Sequence, residues 1–383
     1  MNVYSLFSKQ SGSSIVLLVV YVDDIVLTGD DLVEISALKD SLHNQFKIKD
    51  LGHLNYFLGI EVTSFPIGLL LHQSKFIRDL LHKHNCAEVT PVVCPLDLSV
   101  KLQATQGKPL ANPEAYRSLV GKLNFLTHTR PDLSFAVQHL SQFLQLPTDL
   151  HMQAALRLLR YLKRSADVGI FFNDCSDLSL AAYCDSDWAA CPDPRRSVSG
   201  FCVLLGNSLI SWKAKKQHVV SLSSAKAEYR AMSKVVAELT WLVRLLSDFG
   251  IAISAPIPVF CDNQAAIHIA KNPVFHERTK HIEIDCHFIR TKLGHGLVDL
   301  HHVPTGSQLA DVFTKPLIGL VHCPLLSKLG VLPLSNLRGV LKPNTPWILH
   351  NTTQGPLHYL SCTWAEAHIC TRFSFRFVFS HFV

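Results

Sequence analysis

Residues 1–97 alternate short apolar runs with amphipathic segments, a pattern typical of strands and short helices that pack together. Two apolar runs, 14–22 and 25–28, predict strands joined by a tight turn, because Asp23 and Asp24 interrupt them. Period-two runs and three- to four-residue spacings predict the remaining elements: a helix at 38–46, a hairpin at 56–62 and 68–72, and a helix at 75–84.

Residues 98–170 change to a helical period after a polar, proline-containing connector at 103–113. Apolar residues recur at three- and four-residue intervals, which predicts three amphipathic helices, at 116–127, 131–144 and 150–165. The last predicted helix carries a basic stripe, which we define as Arg157, Arg160, Lys163 and Arg164. Two interpretations of the basic stripe stay open: a solvated helix face or a contact to nucleic acid.

Residues 171–317 return to strand-like runs and then alternate strands with helices. Three consecutive strands are expected first, followed by one long helix: 178–185, 200–205, 209–213 and the helix 223–249. The remaining elements alternate: a strand at 257–261, a helix at 263–271, a helical or mixed stretch at 281–293, a strand at 298–303 and a final helix at 308–315. This order predicts a mixed five-stranded sheet flanked by helices, in a chain of α+β and α/β class.

Composition supports a folded chain with more than one domain. The 383 residues are 48% hydrophobic and 17% charged, which is enough apolar material for two or three globular domains. The formal net charge of +6 is compatible with a polyanionic partner and only weakly supports one. The tail at 318–383 has few acids and no regular period, so no element is assigned to it. The expected divisions are 1–97, 98–170, 171–317 and this tail.

Eleven cysteines raise the question of disulfides or zinc, but no Cys-x-x-Cys pair occurs and the cysteines stand singly in apolar runs. Buried free thiols are therefore expected rather than a zinc site. The apolar run 15–22 is shorter than the roughly 20 residues that cross a bilayer. No membrane partner is expected.

Candidate chemistry first appears in the sequence Tyr21-Val22-Asp23-Asp24. Two adjacent carboxylates at the tip of an apolar hairpin are costly unless they reach water or bind a cation. Phosphoryl-transfer enzymes use such carboxylates on rigid turns to hold two magnesium ions. From these four residues alone, the favoured interpretation is that Asp-Asp simply forms the turn.

Four acids of residues 171–317 stand at ends of strands or early in helices: Asp185, Glu228, Asp262 and Asp311. Such positions converge on one edge of an open sheet, and four gathered carboxylates need cations, which predicts two divalent metal ions. Each acid also has a simpler explanation as a cap, as a charge at a helix terminus or, for Asp311, as the partner of Lys315. Taken singly, the simpler explanations are favoured; the order of all four in this frame favours a metal site.

Longer segments carry a family resemblance. Tyr21-Val22-Asp23-Asp24, the segment 51–62 and the segment 72–75 resemble the palm of a copia-type retrotransposon reverse transcriptase. Segments 116–123 and 129–133 continue the match into that family's thumb and connection, and the resemblance runs nearly unbroken from about residue 4 to 317. It implies a truncated palm at 1–97 of an RNA-directed DNA polymerase, a helical thumb and connection at 98–170, and metal-binding roles for Asp23 and Asp24.

The resemblance also implies another polymerase aspartate on a strand well upstream of Asp23, and none of residues 1–22 is acidic. Asp23 and Asp24 would then be two ligands of an incomplete site. We expect no polymerase activity from this chain alone, unless a complementing polymerase segment supplies the rest.

Residues 171–317 resemble the ribonuclease H domain that follows the copia-type polymerase. The resemblance implies that four residues bind metal and are catalytic: Asp185, Glu228, Asp262 and Asp311. Asp185 is preferred to its neighbour Asp187 because it directly ends the predicted strand. His302 falls near the place of a catalytic histidine in related enzymes, with the adjacent His301 as an alternative.

Lys226 departs from the family, which usually carries a small or acidic residue at that position. We expect at most a modest weakening of metal binding from its amine. The basic residues of segment 278–290 have the same two interpretations as the basic stripe, a solvated face or contact to a nucleic-acid backbone.

The resemblance implies metal-dependent hydrolysis of RNA in RNA/DNA hybrids, with two Mg²⁺ or Mn²⁺ ions. The hybrid would be recognised by its shape and 2′-hydroxyls, and the location would be intracellular, in the cytoplasm or nucleus. Two alternatives stay open: a catalytically inactive, nucleic-acid-binding remnant, and a non-enzymatic host protein built from such a fragment.

Overall fold

The computed structural model of the chain describes residues 4–12, 14–22, 24–272 and 282–338. The chain begins with an antiparallel three-stranded sheet followed by a helix: β1 (Tyr4–Ser11), β2 (Ser14–Tyr21), β3 (Asp24–Gly29) and α1 (Leu32–Phe46). The carboxylate of Asp31 accepts the backbone N–H groups of Val33 and Glu34, which starts α1. The hairpin predicted at 14–28 is confirmed, and β1 is an additional strand that pairs with β2 along its whole length.

A second, antiparallel sheet joins distant parts of the chain. Its order is β13-β7-β6-β5-β4, with these bounds: β4 (Tyr56–Phe57), β5 (Ile60–Phe65), β6 (Gly68–His72), β7 (Val168–Asn173) and β13 (Val331–Pro333). The β5–β6 hairpin was predicted. Strands β7 and β13 were not predicted. Each is a short apolar run next to a helix, and such a run cannot be distinguished from an end of the helix by its period. Leu70 of β6 pairs with Phe171 of β7, so β7 ties the N-terminal hairpin to the region that follows the helices.

The helices between β6 and β7 form a separate layer. Their bounds are α2 (Ser74–Lys83), α3 (Pro113–Leu126), α4 (Ser134–Leu140), α5 (Asp149–Arg164), and 3₁₀ turns at Pro131–Leu133 and Ser141–Phe143. Their buried apolar residues, among them Leu119, Leu123 and Leu158, form a cluster largely separate from the core of the sheets. The three predicted amphipathic helices are confirmed, with the middle one divided into short turns.

A buried ion pair anchors this helical layer. Arg130 and Asp132 are fully buried and share two hydrogen bonds of 3.0 and 2.7 Å. Tyr161 of α5 donates to Asp132 at 2.6 Å, and His322 lies 3.2 Å from the Tyr161 hydroxyl. A buried charge pair needs such additional bonds to offset its desolvation. The segment 129–133 therefore has a structural role that its resemblance to a family motif did not reveal.

Three members of the basic stripe bind residues 89–97, which precede the connector at 103–113. Arg157 forms an ion pair with Asp97 at 3.2 Å. Arg160 and Lys163 donate to the backbone carbonyls of Thr90 and Val89, at 2.9 and 3.1 Å. These three side chains hold residues 89–97 against α5, which gives them a structural role that the charge pattern did not indicate. Contact of the basic stripe with nucleic acid stays a prediction.

The third sheet is mixed and has the predicted order of elements. Its strand order is β10-β9-β8-β11-β12, with these bounds: β8 (Leu180–Asp187), β9 (Val198–Leu205), β10 (Ser208–Lys216), β11 (Ile257–Cys261) and β12 (Val298–His302). Strands β8 to β10 pair antiparallel, whereas β11 pairs parallel with both β8 and β12. The predicted mixed sheet of five strands flanked by helices is thus present.

Helices flank this mixed sheet and complete the C-terminal part. Their bounds are α6 (Ser224–Asp248), α7 (Gln264–Lys271), α8 (Glu283–Gly294), α9 (Gly319–Lys328) and α10 (Leu334–Arg338). The predicted final helix at 308–315 is a 3₁₀ helix, Leu309–Phe313. Residues 318–338, to which the sequence assigned no element, bury Leu325 and Leu329 and add β13 to the second sheet. Within the described ranges, no helix combines the length and apolarity that a membrane span needs.

Gly200 of β9 lies directly under the 3₁₀ helix Leu309–Phe313. A Cβ atom at this position would come within 2.6 Å of Thr314 Cγ2 and 2.7 Å of Phe313 Cβ. We expect Gly200→Ala to lower the free energy of unfolding by about 1–2 kcal/mol, as overpacking does. The matched control is Gly121→Ala in α3, where a Cβ meets nothing within 4 Å and alanine favours the helix. Urea denaturation of both variants tests this, and equal stabilities would contradict the packing argument.

Candidate metal-binding and catalytic site

The carboxylates of Asp185 and Asp262 lie side by side at one edge of the mixed sheet. Tyr183 of β8 pairs in parallel with Phe260 of β11, so Asp185 and Asp262 lie two residues further along neighbouring strands. Asp185 is 3% exposed, and Asp262, directly after β11, is half-buried and accepts a 3.1 Å hydrogen bond from the Thr305 hydroxyl. The parallel pairing of β8 and β11 is what places these two acids together.

Glu228 and Asp311 join the same edge from the flanking helices. Glu228 lies in the second turn of α6, is 5% exposed, and accepts the backbone N–H of Ser186 at 3.1 Å. Asp311 lies in the 3₁₀ helix Leu309–Phe313 and is also 5% exposed. Gln308 holds the start of that helix to β8, because its Nε2 donates to the Cys184 carbonyl at 2.9 Å. We call these four acids, Asp185, Glu228, Asp262 and Asp311, the carboxylate cluster.

The members of the carboxylate cluster repel one another electrostatically. Burial, followed by the charge of Asp185, raises the pKa of Glu228 well above its ordinary value. The same two causes raise the pKa of Asp262 and raise the pKa of Asp311 to about 7. Burial and mutual repulsion disfavour the charged forms of these carboxylates. A multivalent cation bound among them would stabilise the charged forms.

Lys315 places an ammonium group inside the carboxylate cluster. Its Nζ lies 2.9 Å from Asp311 Oδ1 and 3.9 Å from Asp185 Oδ2. Burial opposes the charged form, but the carboxylates of Asp185 and Asp311 outweigh it and raise the pKa of Lys315. Thr314, its neighbour, donates a short hydrogen bond to Asp185. The sequence signalled Lys315 only as a partner of Asp311, and it gave no signal for Thr305 or Thr314.

The simpler explanation, that the acid caps a turn or helix, is wrong for Asp262 and for Asp185. The N-cap of α7 is Asn263, whose side chain accepts the Ala266 N–H at 2.9 Å, so Asp262 is not a cap. Asp185 lies within β8 rather than at its end, since the strand continues to Asp187. The predicted reason for preferring Asp185 to Asp187 is therefore wrong, and burial now distinguishes them. The Asp311–Lys315 pair is present as the sequence suggested.

The donor set suits a hard divalent cation. The carboxylate oxygens of the cluster are the ligands that Mg²⁺ and Mn²⁺ prefer, and Lys315 already stands there as an intramolecular cation. One softer donor is present, because ligand atoms of Glu228, Cys261 and Asp262 all lie within 4.8 Å of one another. The Cys261 thiol lies 3.9 Å from Glu228 Oε2 and is buried. The nine cysteines of the described residues are free thiols.

The histidines near the carboxylate cluster are solvent-exposed. His302 ends β12 and pairs in register with Cys261 at the edge of the sheet that carries Asp262. His301 forms an ion pair with Asp299 at 3.1 Å. That pairing gives His301 a partner away from the carboxylates, which favours His302 of the two, and a catalytic role for it stays a prediction.

The other predicted residues lie in different surroundings. Asp24 pairs with Tyr21 at the tip of the β2–β3 hairpin and is exposed, while Asp23 lies outside the described residues. Metal binding by these two aspartates stays a prediction. Lys226 is partly exposed in the first turn of α6, where its N–H bonds to the Ser223 side chain at 3.3 Å. The first part of segment 278–290, up to residue 281, also lies outside the described residues.

The raised pKa of Asp311 predicts a pH dependence of the metal-free protein. The folded state keeps a proton on Asp311 up to about pH 7, whereas the unfolded chain loses it near its ordinary value of 3.8. Stability therefore falls as pH rises between these values, because the folded state binds more protons. We expect Asp311→Asn to lose less stability than the unmodified chain between pH 5 and pH 8. Urea unfolding in EDTA measures this, and parallel pH profiles would contradict it.

Comparison with known proteins places the chain among retroelement proteins. Residues 2–98 match the family described as reverse transcriptase (RNA-dependent DNA polymerase). The retrovirus-related Pol polyprotein from transposon RE1 of Arabidopsis thaliana is 45% identical over 327 residues, which are 85% of this chain and 22% of that protein. The putative transposon Ty5-1 protein of Saccharomyces cerevisiae is 30% identical over 62% of this chain and 78% of its own length. The chain thus spans about a fifth of the RE1 polyprotein.

Among solved structures, the N-terminal RNase H domain of rv2228c from Mycobacterium tuberculosis aligns with 36% of this chain and 91% of its own. The sequence identity is 14% and the TM-score is 0.27.

Proposed function

Since this chain belongs to the copia-type retrotransposon Pol polyproteins, we propose that its carboxylate cluster hydrolyses the RNA strand of RNA/DNA hybrids with divalent metal ions. The observation that carries the proposal is the convergence of four acids from four different elements on one sheet edge. Three of the four are at most 5% exposed. A fold gains nothing from burying several like charges together unless they bind cations.

Each residue has a distinct part in this proposal. Asp185, Glu228, Asp262 and Asp311 would hold the ions. Bound there, two Mg²⁺ or Mn²⁺ ions would lower the pKa of a water and stabilise the charge that develops on the scissile phosphate. The hydrogen bonds from Thr314 to Asp185 and from Thr305 to Asp262 fix the orientation of two carboxylates, as supporting residues do at metal sites. His302, exposed at the same edge, would exchange protons with water.

The proposed substrate is limited by the atoms that a site at the edge of a sheet can contact on a duplex. A ribonuclease H-like edge contacts a duplex from outside, so it acts on backbone phosphates and not on bases. An RNA/DNA hybrid offers 2′-hydroxyls on one strand only, which allows the strands to be distinguished without reading sequence. We therefore propose slight sequence preference and cleavage of the RNA strand.

A substrate panel tests the proposal. The full chain with Mg²⁺ or Mn²⁺ is incubated with end-labelled RNA/DNA hybrid, duplex RNA and duplex DNA of one sequence. Cleavage confined to the RNA strand of the hybrid is the expected result. Binding of the hybrid without cleavage, at saturating metal, would favour a nucleic-acid-binding remnant instead.

A further inference from the structure

A groove with both polar and apolar lining residues lies between the helical layer and the outer strand of the mixed sheet. Its volume is about 520 Å³, and it separates α3 and α4 from β10 and the residues that follow. The side chains that define its character are Ser134, Gln138, Gln142, Arg196 and Lys216. We call this space the α4–β10 groove. It does not include any member of the carboxylate cluster.

Polar atoms of one helix face are buried in the groove without partners. Ser134, Gln138 and Gln142 are spaced four residues apart, so they share one face of α4 and the turn after it. Their Oγ, Oε1 and Nε2 atoms, respectively, are buried and have no hydrogen-bond partner among the described residues. Buried polar atoms are normally paired, and an unpaired one is costly to the fold. Apolar side chains at these three positions would make the fold more stable than unpaired polar ones. The polar side chains are therefore better explained by a ligand that bonds to them.

The groove carries positive charge that its lining does not balance. Lys216 Nζ lies 2.5 Å from Gln142 Oε1 and 2.8 Å from Cys191 Sγ, at the wall formed by β10. Arg196 is exposed at the rim. No aspartate or glutamate is among the described residues that line the groove. Cations with amide and hydroxyl groups are the side chains that contact phosphate and sugar oxygens.

The wall of the groove and Asp185 of the carboxylate cluster lie on one line of cross-strand neighbours in the mixed sheet. Ala214 of β10 pairs with Gly200 of β9, and Gly200 pairs with Asp185 of β8. Two strand spacings of about 4.8 Å therefore separate the groove wall from Asp185, or about 10 Å in total. Helix α4 also contacts the 3₁₀ helix that carries Asp311. The 3₁₀ helix Leu309–Phe313 covers Gly200 between the two places, so a strand that reaches both passes over that helix. Stacked nucleotides advance about 3.4 Å each, and such a strand therefore needs at least about three nucleotides.

We propose that the α4–β10 groove binds the phosphodiester backbone of a nucleic-acid strand whose cleaved duplex region lies at the carboxylate cluster. The inference rests on the proposed function for the identity of the ligand. Lys216 and Arg196 contact phosphates. Ser134 Oγ and Gln142 Nε2 donate to phosphate or sugar oxygens, whereas Gln138 Oε1 accepts from a ribose 2′-hydroxyl, the donor that an RNA backbone offers. The helical layer thereby takes part in holding the substrate, through α4 rather than through the basic stripe of α5.

Binding of a fluorescent RNA/DNA hybrid to the full chain in EDTA tests this without cleavage. Gln138→Leu removes an unpaired polar group, so we expect equal or higher thermal stability together with about five- to tenfold weaker binding. A purely structural role of Gln138 would not produce that combination. Arg196→Gln, at an exposed position, should lower the slope of log Kd against log salt by about one.

Lys271→Gln is the matched control for charge. Lys271 pairs with Asp299, near the start of β12 and at the opposite end of the sheet from the carboxylate cluster, so its loss should leave the salt slope unchanged. Unchanged hybrid binding in both Gln138→Leu and Arg196→Gln would overturn the inference, even if the chain hydrolyses RNA. Weakened binding in both variants, from a chain that hydrolyses nothing, would support the groove and reject the proposed function.

Discussion

Replacing Asp262 by Asn is expected to lower the rate of RNA-strand hydrolysis by about 10²- to 10³-fold, as loss of one group that stabilises developing charge does. Asp262 is half-buried and accepts a hydrogen bond from Thr305, and its burial, followed by the charge of Asp185, raises its pKa. Asn keeps the size and the bond from Thr305 but removes the charge. The metal-free fold should therefore be at least as stable as before, because one of several repelling charges is gone.

Asp187→Asn is the control for Asp262→Asn. Asp187 lies two residues after Asp185 in β8, is half-buried, and has a pKa raised by burial. In the parallel register of β8 and β11, the residue beside Asp262 is Asp185, whereas Asp187 lies two residues further along β8. We expect hydrolysis by Asp187→Asn to stay within a few-fold of the unmodified chain. Equal losses in both variants would mean that the site extends to Asp187 or that both changes damage the fold, and urea denaturation separates these two causes.

Replacing Lys315 by Met should change stability and metal affinity in opposite directions. Without metal, the variant leaves Asp185 and Asp311 without their cation, at a cost of about 3 kcal/mol, the lower end for a buried pair because the Lys315 side chain is 30% exposed. With metal, the ammonium no longer competes for the same carboxylates. We expect roughly tenfold tighter binding of Mn²⁺.

Calorimetric titration with Mn²⁺, paired with urea unfolding in EDTA, measures both effects of Lys315→Met. Lys328→Met, at an exposed position in the last turn of α9, removes the same charge away from the cluster and should change neither quantity. Lys315→Arg should stay close to the unmodified chain because it keeps the charge. Equal stability and equal Mn²⁺ affinity in Lys315→Met would show that this lysine is not a counter-ion of the cluster.

Much of the fold could be predicted from local patterns. The hairpin at β2 and β3, the long helix α6 and the alternation from β8 to β12 each follow from a period of two or of three to four residues. The convergence of Asp185 and Asp262 was also predicted. Asp185 lies two residues before the end of β8, and the parallel pairing of β8 with β11 aligns it with Asp262. The grouping of all four acids was expected from their order along the chain and from the family resemblance.

What the sequence could not supply depends on contacts between distant residues. Strand β7 pairs with β6 about a hundred residues earlier, and β13 pairs with β7, although neither run shows a distinctive period. The basic stripe was interpreted from its charge alone, whereas the structure uses Arg157 to bind Asp97. Lys315 was visible only as a neighbour of Asp311, and its approach to Asp185 depends on the 3₁₀ helix packing over Gly200.

The most direct test of the central claim is a metal titration of the full chain with a hybrid labelled on both strands. RNA cleavage and the melting temperature are followed in the same series of Mg²⁺ or Mn²⁺ concentrations. We expect cleavage of the RNA strand to appear over the range of metal concentration in which the melting temperature rises, and the DNA strand to stay intact. A metal-dependent rise in melting temperature with both strands uncleaved would contradict this expectation.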